Sequence, residues 1–254
     1  MSEREIALSV RDVEKSFGTQ RVLLGVDLDI YKGESLVIIG PSGCGKSVLL
    51  RHLIGLHEPD AGTVHVNGVD IAHMNRSSLY EVRKKFGMLF QNSALFDSMT
   101  VGENVAIGLK EHFNLSRDEL HKTALVQLEL VGLADAVHKR PSELSGGMRK
   151  RVALARTIAM DPEIILYDEP TTGLDPITAD VINNLIRSLQ KRFHATSITV
   201  THDMVSAYKI ADRIAMLHKG KIIYEGSVQE VQTTDNPYVK QFIHGTAEGP
   251  VTAA

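Results

Sequence analysis

The chain of 254 residues has a single cysteine, Cys44, and no tryptophan, and aromatic residues make up only 5% of it. One cysteine excludes an internal disulfide and a cysteine-rich zinc site. The scarcity of cysteine fits a protein of a reducing compartment. Long apolar runs are missing too, because the longest, Leu36 to Ile39 and Ile164 to Tyr167, are strand-length, whereas a membrane-spanning helix needs about 20 apolar residues. The first residues are charged, unlike a signal peptide. We therefore expect a cytosolic chain that reaches a membrane only through partners.

An excess of charge of one sign is also missing. The 28 Lys and Arg residues against 31 Asp and Glu residues give a net charge of −3 at pH 7. Domains that bind nucleic acid are usually strongly basic, so we expect no nucleic-acid partner. The 43% hydrophobic and 23% charged residues are typical of a globular protein that is long enough to bury a sizeable core.

Apolar periodicity predicts an α/β fold. Short β-branched runs alternate with longer helical patterns, which is typical of a mainly parallel sheet. The first 70 residues instead alternate apolar and polar side chains, and Asn67-Gly68 is a hairpin signal, which predicts a small antiparallel sheet packed on the main one. Capping boxes at Thr100 to Glu103 and Ser116 to Glu119 indicate a helical insertion over residues 92–160.

A glycine-rich segment follows the first buried-strand pattern. It reads GPSGCGKS over Gly40 to Ser47, which matches G-x-x-x-x-G-K-[ST], and a helical run comes next. Small residues let the backbone form a nest of N–H groups that binds phosphate at a helix N-terminus. We predict that Lys46 reaches the β- and γ-phosphates and that Ser47 ligates magnesium. The context disfavours the alternative, a glycine-rich turn with a stray lysine. The residues expected to contact nucleotide here are Gly40, Pro41, Ser42, Gly43, Cys44, Gly45, Lys46, Ser47 and Val48.

Two adjacent carboxylates end the second buried-strand pattern, at Asp168-Glu169. Carboxylates in such a place are costly unless their charge is used in chemistry. We predict that Asp168 ligates magnesium and that Glu169 is the general base for the water that attacks the γ-phosphate. Alternatively, the pair caps the next helix, which starts near Asp175-Pro176.

Polar residues follow two further strand patterns: Gln91 comes after Phe86 to Phe90, and His202 comes after Thr196 to Val200. A lone histidine after a strand is more often structural than catalytic. Four strand ends with functional side chains nevertheless predict one site, because ligands of open α/β sheets bind outside the carboxyl ends of the strands.

A second candidate anion site is the sequence LSGGM, which opens a helical pattern running to about Met160. Its hydroxyl and exposed amides suit an anion, although in isolation it would be an ordinary helix start. The residues concerned are Ser145, Gly146, Gly147 and Met148.

The order of these motifs along nearly the whole chain resembles the nucleotide-binding subunit of an ATP-binding cassette transporter. The resemblance implies a P-loop NTPase with a RecA-like parallel-sheet core, an antiparallel β subdomain and a helical subdomain carrying the LSGGM signature. It implies a single ATPase domain over 1–254, with the core in 1–91 and 161–235, the helical subdomain in 92–160 and a tail in 236–254. Beyond about Asn236 the tail has one more possible helical turn and then EGPVTAA, which lacks an apolar pattern for packing, and we expect a partner to order the tail.

The same resemblance implies residue roles and cofactors. Phe17 would stack on the adenine of ATP, Gln91 would be the Q-loop residue that also contacts Mg²⁺, Asp175 would be the D-loop residue, and His202 the switch histidine. Two copies would pack head to tail, with each ATP between one P-loop and the other signature. Met148 departs from the commoner glutamine at that position.

Two segments that extend beyond the nucleotide motifs resemble the ATPases of phospholipid-transporting Mla systems. They are RSSLYEVRKKFGMLFQNSALFDSMTVGENVAIGL and YVKQFIHGTAEGPV. The resemblance implies phospholipid transport between inner and outer membranes, with an integral permease, an MCE-domain lipid-binding protein and a small STAS-type regulatory subunit. The chain would then lie on the cytoplasmic face of the bacterial inner membrane. The alternatives are the ATPase of a solute importer, for polar amino acids for example, a cassette ATPase without a transport role, and a nucleotide-dependent scaffold without turnover.

Two further groups of residues lie outside these motifs, one apolar and one basic. Apolar residues of 94–101, after Gln91, would form either a docking groove for the permease or part of the core of the helical insertion. The basic groups Arg83-Lys84-Lys85 and Arg149-Lys150-Arg151 are expected to be solvated surface.

Overall fold

A computed structural model describes residues 4–251 of the chain. Within that range it forms ten strands in two sheets, with nine α-helices around them. The strands are β1 (Ile6–Phe17), β2 (Gln20–Tyr31), β3 (Ser35–Ile39), β4 (Ala61–Val66), β5 (Val69–Asp70), β6 (Phe86–Leu89), β7 (Ile164–Asp168), β8 (Thr196–Val200), β9 (Arg213–His218) and β10 (Lys221–Ser227). The helices are α1 (Lys46–Leu53), α2 (Arg76–Arg83), α3 (Val101–His112), α4 (Arg117–Leu130), α5 (Gly146–Ile158), α6 (Pro176–Phe193), α7 (Met204–Ile210), α8 (Val228–Thr233) and α9 (Pro237–His244).

The larger sheet has six strands in the order β10-β9-β3-β8-β7-β6. The pairings from β9 to β6 are parallel, and β10 is an antiparallel strand at the edge. Every residue of β3, β7 and β8 is buried, as in parallel sheets covered on both faces. The carboxyl ends of β3, β8, β7 and β6 therefore meet at one edge of this sheet.

The smaller sheet is antiparallel, with the order β2-β1-β4-β5. Its last two strands form a hairpin in which Val66 pairs with Val69, and Asn67 and Gly68 both adopt positive φ, of 48° and 80°. Positive φ at both central residues is what a tight hairpin turn requires. The antiparallel sheet and its hairpin were both predicted from sequence and are confirmed.

The helices α3, α4 and α5 lie between β6 and β7 in the sequence. Both predicted capping boxes are formed, at the starts of α3 and α4. The apolar faces of these helices share one core with the larger sheet, since Val105, Leu128 and Leu154 belong to the same buried cluster as Val37 and Ile165. The helical insertion is thus packed directly on the sheet that ends in the polar residues.

The segment after α9 differs from expectation. Gln241 of α9 is nearly buried; its Nε2 donates to the carbonyl of Val251 at 2.8 Å, and its Oε1 accepts from the Val251 N–H at 2.6 Å. Val251 also packs against the main core. The expectation of no packed element in this tail is therefore wrong as far as Val251, because hydrogen bonds to one glutamine hold it without any apolar periodicity. Residues 252–254 lie outside the described part of the chain.

Between residues 4 and 251, no helix has both the length and the apolar character needed to cross a bilayer.

Candidate active site

The loop between β3 and α1 is folded around the ammonium group of Lys46. Lys46 is 6% exposed, and its Nζ donates to the carbonyls of Gly40 at 2.8 Å and Pro41 at 2.9 Å. Gly40 has φ of 151°, and a Cβ there would lie 2.1 Å from the carbonyl oxygen of Leu217. Only glycine fits this close approach of two strands. Residues 40–48, all predicted to contact nucleotide, form this loop and the first turn of α1.

The first turn of α1 is suited to bind an anion. The helix begins at Lys46, and Gly45, at the capping position, has no side chain to satisfy the first N–H groups. Free N–H groups and the positive end of the helix dipole favour a phosphate here, and the adjacent lysine adds a full positive charge.

A hydroxyl and a carboxylate meet next to this loop. Ser47 Oγ donates to Asp168 Oδ1 at 2.7 Å, and Asp168, the last residue of β7, is 3% exposed. Mg²⁺ is bound through oxygen, usually by one or two protein groups together with substrate phosphates and water. The donor set of Ser47 and Asp168 beside a phosphate site fits that requirement. Gln91, the third predicted ligand, is exposed just beyond the end of β6, the strand that pairs with β7.

The second carboxylate has different surroundings from the first. Glu169 is 8% exposed and has φ of 49°, a left-handed conformation that is costly for a residue with a side chain. One carboxylate oxygen lies 2.9 Å from Nδ1 of His202, and the other accepts from Oγ1 of Thr172 at 3.0 Å. Of the His202 side chain, 52% is exposed, so the pair opens toward solvent at the edge of the sheet.

The alternative role for Asp168-Glu169, capping of the next helix, is wrong. Asp175 caps α6, and its Oδ1 accepts from the N–H groups of Ile177 and Thr178, both at 3.0 Å. Asp168 and Glu169 therefore do not cap α6, and both carboxylates lie at the end of β7 beside the loop around Lys46.

The signature segment lies against α6 rather than against the loop around Lys46. Ser145 is the capping residue of α5, and its Oγ accepts from the Met148 N–H at 3.3 Å. A Cβ on Gly147 would lie 2.5 Å from Cγ2 of Thr178, so the two helix starts are in close contact. Ser145 and Gly146 are exposed, which leaves this helix start accessible to a ligand.

Residues 23–172 match the protein-family model described as ABC transporter. The chain belongs to the ATP-binding cassette transporter family. It is therefore an ATP-binding subunit and an ATPase. We call the loop over residues 40–48, which contains the G-x-x-x-x-G-K-[ST] pattern, the P-loop. The order of the sequence motifs predicted membership of this family, and the family assignment is confirmed.

Relatives of known name are similar over most of the chain. The chain is 44% identical over 244 residues to the intermembrane phospholipid transport system ATP-binding protein MlaF of Escherichia coli K12, covering 96% of this chain and 91% of that one. It is 42% identical to the probable ribonucleotide transport ATP-binding protein mkl of Mycobacterium leprae, over 97% of this chain and 71% of that one. It is 39% identical to the chloroplastic protein TRIGALACTOSYLDIACYLGLYCEROL 3 of Arabidopsis thaliana, over 98% and 77% respectively.

Solved cassettes share the fold. A dimeric structure of the ATP-binding cassette MJ0796, in a post-hydrolysis state bound to ADP and Pi, superposes with a TM-score of 0.81 at 33% identity. The match covers 87% of this chain and 98% of that one. The predicted fold class of the cassette, an α/β core with antiparallel and helical parts, is confirmed.

Phe17, the predicted adenine contact, is the last residue of β1 and is 44% exposed. The ring of His57 meets it edge-on at 5.5 Å between centroids, and Lys15 Nζ lies 5.8 Å from its centroid. The neighbouring strand β2 reaches the P-loop, since a Cβ on Gly45 would lie 3.0 Å from Leu23 Cδ2. An exposed aromatic ring thus lies at the end of a strand of the small sheet, whose neighbouring strand contacts the P-loop.

Two residues that contact the candidate active site were not predicted from the sequence. Thr172, three residues after Glu169, donates to its carboxylate. Lys150 was expected on a solvated surface, which is wrong, because it is 5% exposed and donates to the backbone carbonyls of Gln91 and Glu169. Helical spacing contained the signal, since Lys150 falls on the same face of α5 as the buried residues Ala153 and Leu154.

Proposed function

We propose that this ATPase energises phospholipid transport between the membranes of a bacterium with an outer membrane. The observation that carries the proposal is the 44% identity to MlaF over 96% of the chain, which extends through the helical insertion and the C-terminal segment. Apart from the signature LSGGM, those regions lie outside the nucleotide motifs that all cassettes share. The relatives from Mycobacterium are named for ribonucleotide transport, so the cargo is the point that an experiment has to decide.

In this proposal the P-loop binds the phosphates of ATP. The N–H groups of the first turn of α1 and the buried ammonium of Lys46 would bind the β- and γ-phosphates. The exposed ring of Phe17 would stack on adenine. The side chains that would hold Mg²⁺ are Ser47, Gln91 and Asp168, and the ion when bound neutralises charge on the β- and γ-phosphates.

Glu169 would be the general base. Its carboxylate is held at both oxygens, by His202 and Thr172, so it presents a fixed acceptor at the sheet edge beside Asp168. A positioned acceptor of this kind orients the attacking water and takes its proton, with His202 orienting the carboxylate. The strained backbone of Glu169 agrees with a functional role, because such strain clusters at active sites.

One chain would not complete the site. The start of α5 packs against α6, and its exposed Ser145 and Gly146 are free to bind the γ-phosphate of an ATP held by a second copy. A head-to-tail dimer would bring the two anion sites together around each ATP, and the dimeric cassette with ADP and Pi supports that arrangement. Asp175, at the start of α6, would lie in the same interface.

The partners in this proposal are an integral permease, an MCE-domain lipid-binding protein and a small STAS-type regulatory subunit, and the chain would bind the permease at the cytoplasmic face of the inner membrane.

The apolar residues of 94–101, which we expected either to dock the permease or to belong to the core, are partly buried and partly exposed. Val101 is fully buried in the core, whereas Ala94 and Phe96 are exposed, the latter to 48%. The exposed pair is our candidate contact with the permease.

The test is to purify the tagged chain from membranes in mild detergent, then to identify proteins and lipids by mass spectrometry. We expect a permease, an MCE-domain protein and bound phospholipid. The variant Phe96→Ala, which removes an exposed ring, should retain ATP hydrolysis and lose the permease. Recovery of a solute permease would overturn the cargo, and a chain without membrane partners would favour a cassette ATPase with no transport role.

A further inference from the structure

The ammonium group of Lys150 is buried between two segments of the active site. Lys150 is 5% exposed, and its Nζ donates to the carbonyls of Gln91 and, at 3.3 Å, Glu169. Lysine is almost never buried unless its charge is paired. Burial lowers the pKa of Lys150, and the negative charges of Asp168 and Glu169 act in the opposite direction. The buried cation is therefore stabilised by two backbone carbonyls and by the two nearby carboxylates.

The two carbonyls belong to neighbouring strand ends. Gln91 lies just beyond β6 and Glu169 just beyond β7, and these strands pair from Phe86 with Ile164 to Leu89 with Tyr167. The N–H of Glu169 also donates to the carbonyl of Val200, at the end of β8, at 3.0 Å. Lys150 therefore completes a line of hydrogen bonds across three adjacent strand ends of the site.

The backbone of Glu169 needs such support. Its φ of 49° is a left-handed conformation, which for a side-chain residue costs about 1 kcal/mol or more and persists only where the surroundings impose it. The direction of the carboxylate depends on that conformation. A donor fixed on the Glu169 carbonyl therefore helps to keep the carboxylate facing His202.

The helix that carries Lys150 contacts the same loop a second time. Arg156, further along α5, donates to the carbonyls of Ser93 and Ala94, both at 2.6 Å. Arg156 holds only the loop after Gln91, whereas Lys150 also reaches Glu169. Of these two α5 cations, only Lys150 connects the helix to the backbone of Glu169.

We infer that Lys150 is a positioning residue for ATP hydrolysis, which holds the backbone of Glu169 and Gln91 in register with the helix that begins at the signature. The inference rests on the proposed role of Glu169 as general base. A residue that acts by position should affect turnover more than nucleotide binding.

The experiment compares Lys150→Met with Lys150→Gln. Methionine has similar length and no donor, whereas glutamine keeps N–H donors without the charge. We expect Lys150→Met to lower turnover at saturating ATP by about tenfold or more, with ATP affinity within about threefold of wild type. The thermal midpoint should fall only modestly, because two carbonyls lose a donor while the cost of burying the ammonium is also removed. Lys150→Gln should retain more turnover than Lys150→Met.

The matched control is Arg151→Met, on the same helix. Arg151 donates to the carbonyl of Val131 at 3.1 Å, away from the strand ends, so turnover should stay within about twofold. Turnover of Lys150→Met within the same twofold range would overturn the inference, as would a joint loss of turnover, affinity and thermal midpoint. Glu169→Gln is measured in parallel. If it is inactive while Lys150→Met is active, only the inference fails; if Glu169→Gln is active, the proposed base fails and the inference falls with it.

Discussion

Glu169→Gln tests the chemistry of the site with little change of shape. The substitution replaces one carboxylate oxygen with an NH₂ group at a residue that is 8% exposed. The remaining oxygen can still accept from the Thr172 hydroxyl, which lies 3.0 Å away. His202 can present an acceptor nitrogen to the new NH₂ group by changing tautomer. We therefore expect a folded protein, destabilised by about 1 kcal/mol at most, as for one altered hydrogen bond.

The same variant should lose catalysis and keep binding. A positioned general base contributes about 10²–10⁴-fold to a rate, so phosphate release should fall by about that factor. The P-loop is unchanged, so ATP should still bind, and a dimer should accumulate in sedimentation runs with ATP and magnesium. Turnover within about tenfold of wild type would refute the role of Glu169 as the base. A variant that stays monomeric with ATP would refute the trapped dimer.

The control is Glu163→Gln, just before the other end of the same strand. Of the Glu163 side chain, 55% is exposed, and it pairs with Lys85 at 3.4 Å. An exposed ion pair contributes about 0–1 kcal/mol, so stability should change little and turnover should match wild type. Any large loss in this control would mean that carboxylate-to-amide changes disturb β7 itself.

Three further outcomes are expected. Lys46→Ala should abolish productive ATP binding, because it removes the buried ammonium at the phosphate site; unchanged turnover would remove the P-loop assignment. His202→Ala should lower turnover far more than ATP affinity, and equal losses would point to a structural histidine. Burial lowers the pKa of His52 and His218 below the ordinary 6.5, so these two residues bind more protons in the unfolded chain than in the folded one. The free energy of unfolding measured in urea should therefore fall as the pH drops through about 6.5. A flat pH profile, or a profile that His52→Gln leaves unaltered, would contradict this prediction.

The predictions that succeeded depended on neighbouring residues. A capping box needs two side chains three residues apart, and the hairpin at Asn67-Gly68 needs two residues that tolerate positive φ. The pattern over residues 40–47 is also local, because one loop and the first turn of α1 contain its N–H groups and Lys46, and its role in binding phosphate stays a prediction. The shared edge for Gln91, the carboxylates and His202 required one further step, that consecutive strand–helix units build a parallel sheet.

The errors concerned polar groups whose partners are distant in sequence. The carbonyls that Lys150 binds lie 59 and 19 residues away, so a run of three basic residues resembled an exposed surface. Gln241 holds the C-terminal segment through two hydrogen bonds to the backbone of Val251. Such hydrogen bonds do not require an apolar pattern in the sequence of that segment. Hydrophobic periodicity predicts where apolar side chains pack, and it gives no direct information about polar side chains that are buried by pairing.

The helix α5 would link the two proposed anion sites of one chain. Its capping residue, Ser145, would meet the γ-phosphate of the ATP held by a second copy, and near the start of the helix Lys150 holds the backbone of Glu169, beside the chain's own P-loop. In the proposed head-to-tail dimer, each copy's base would therefore be positioned by a helix whose start contacts the other ATP.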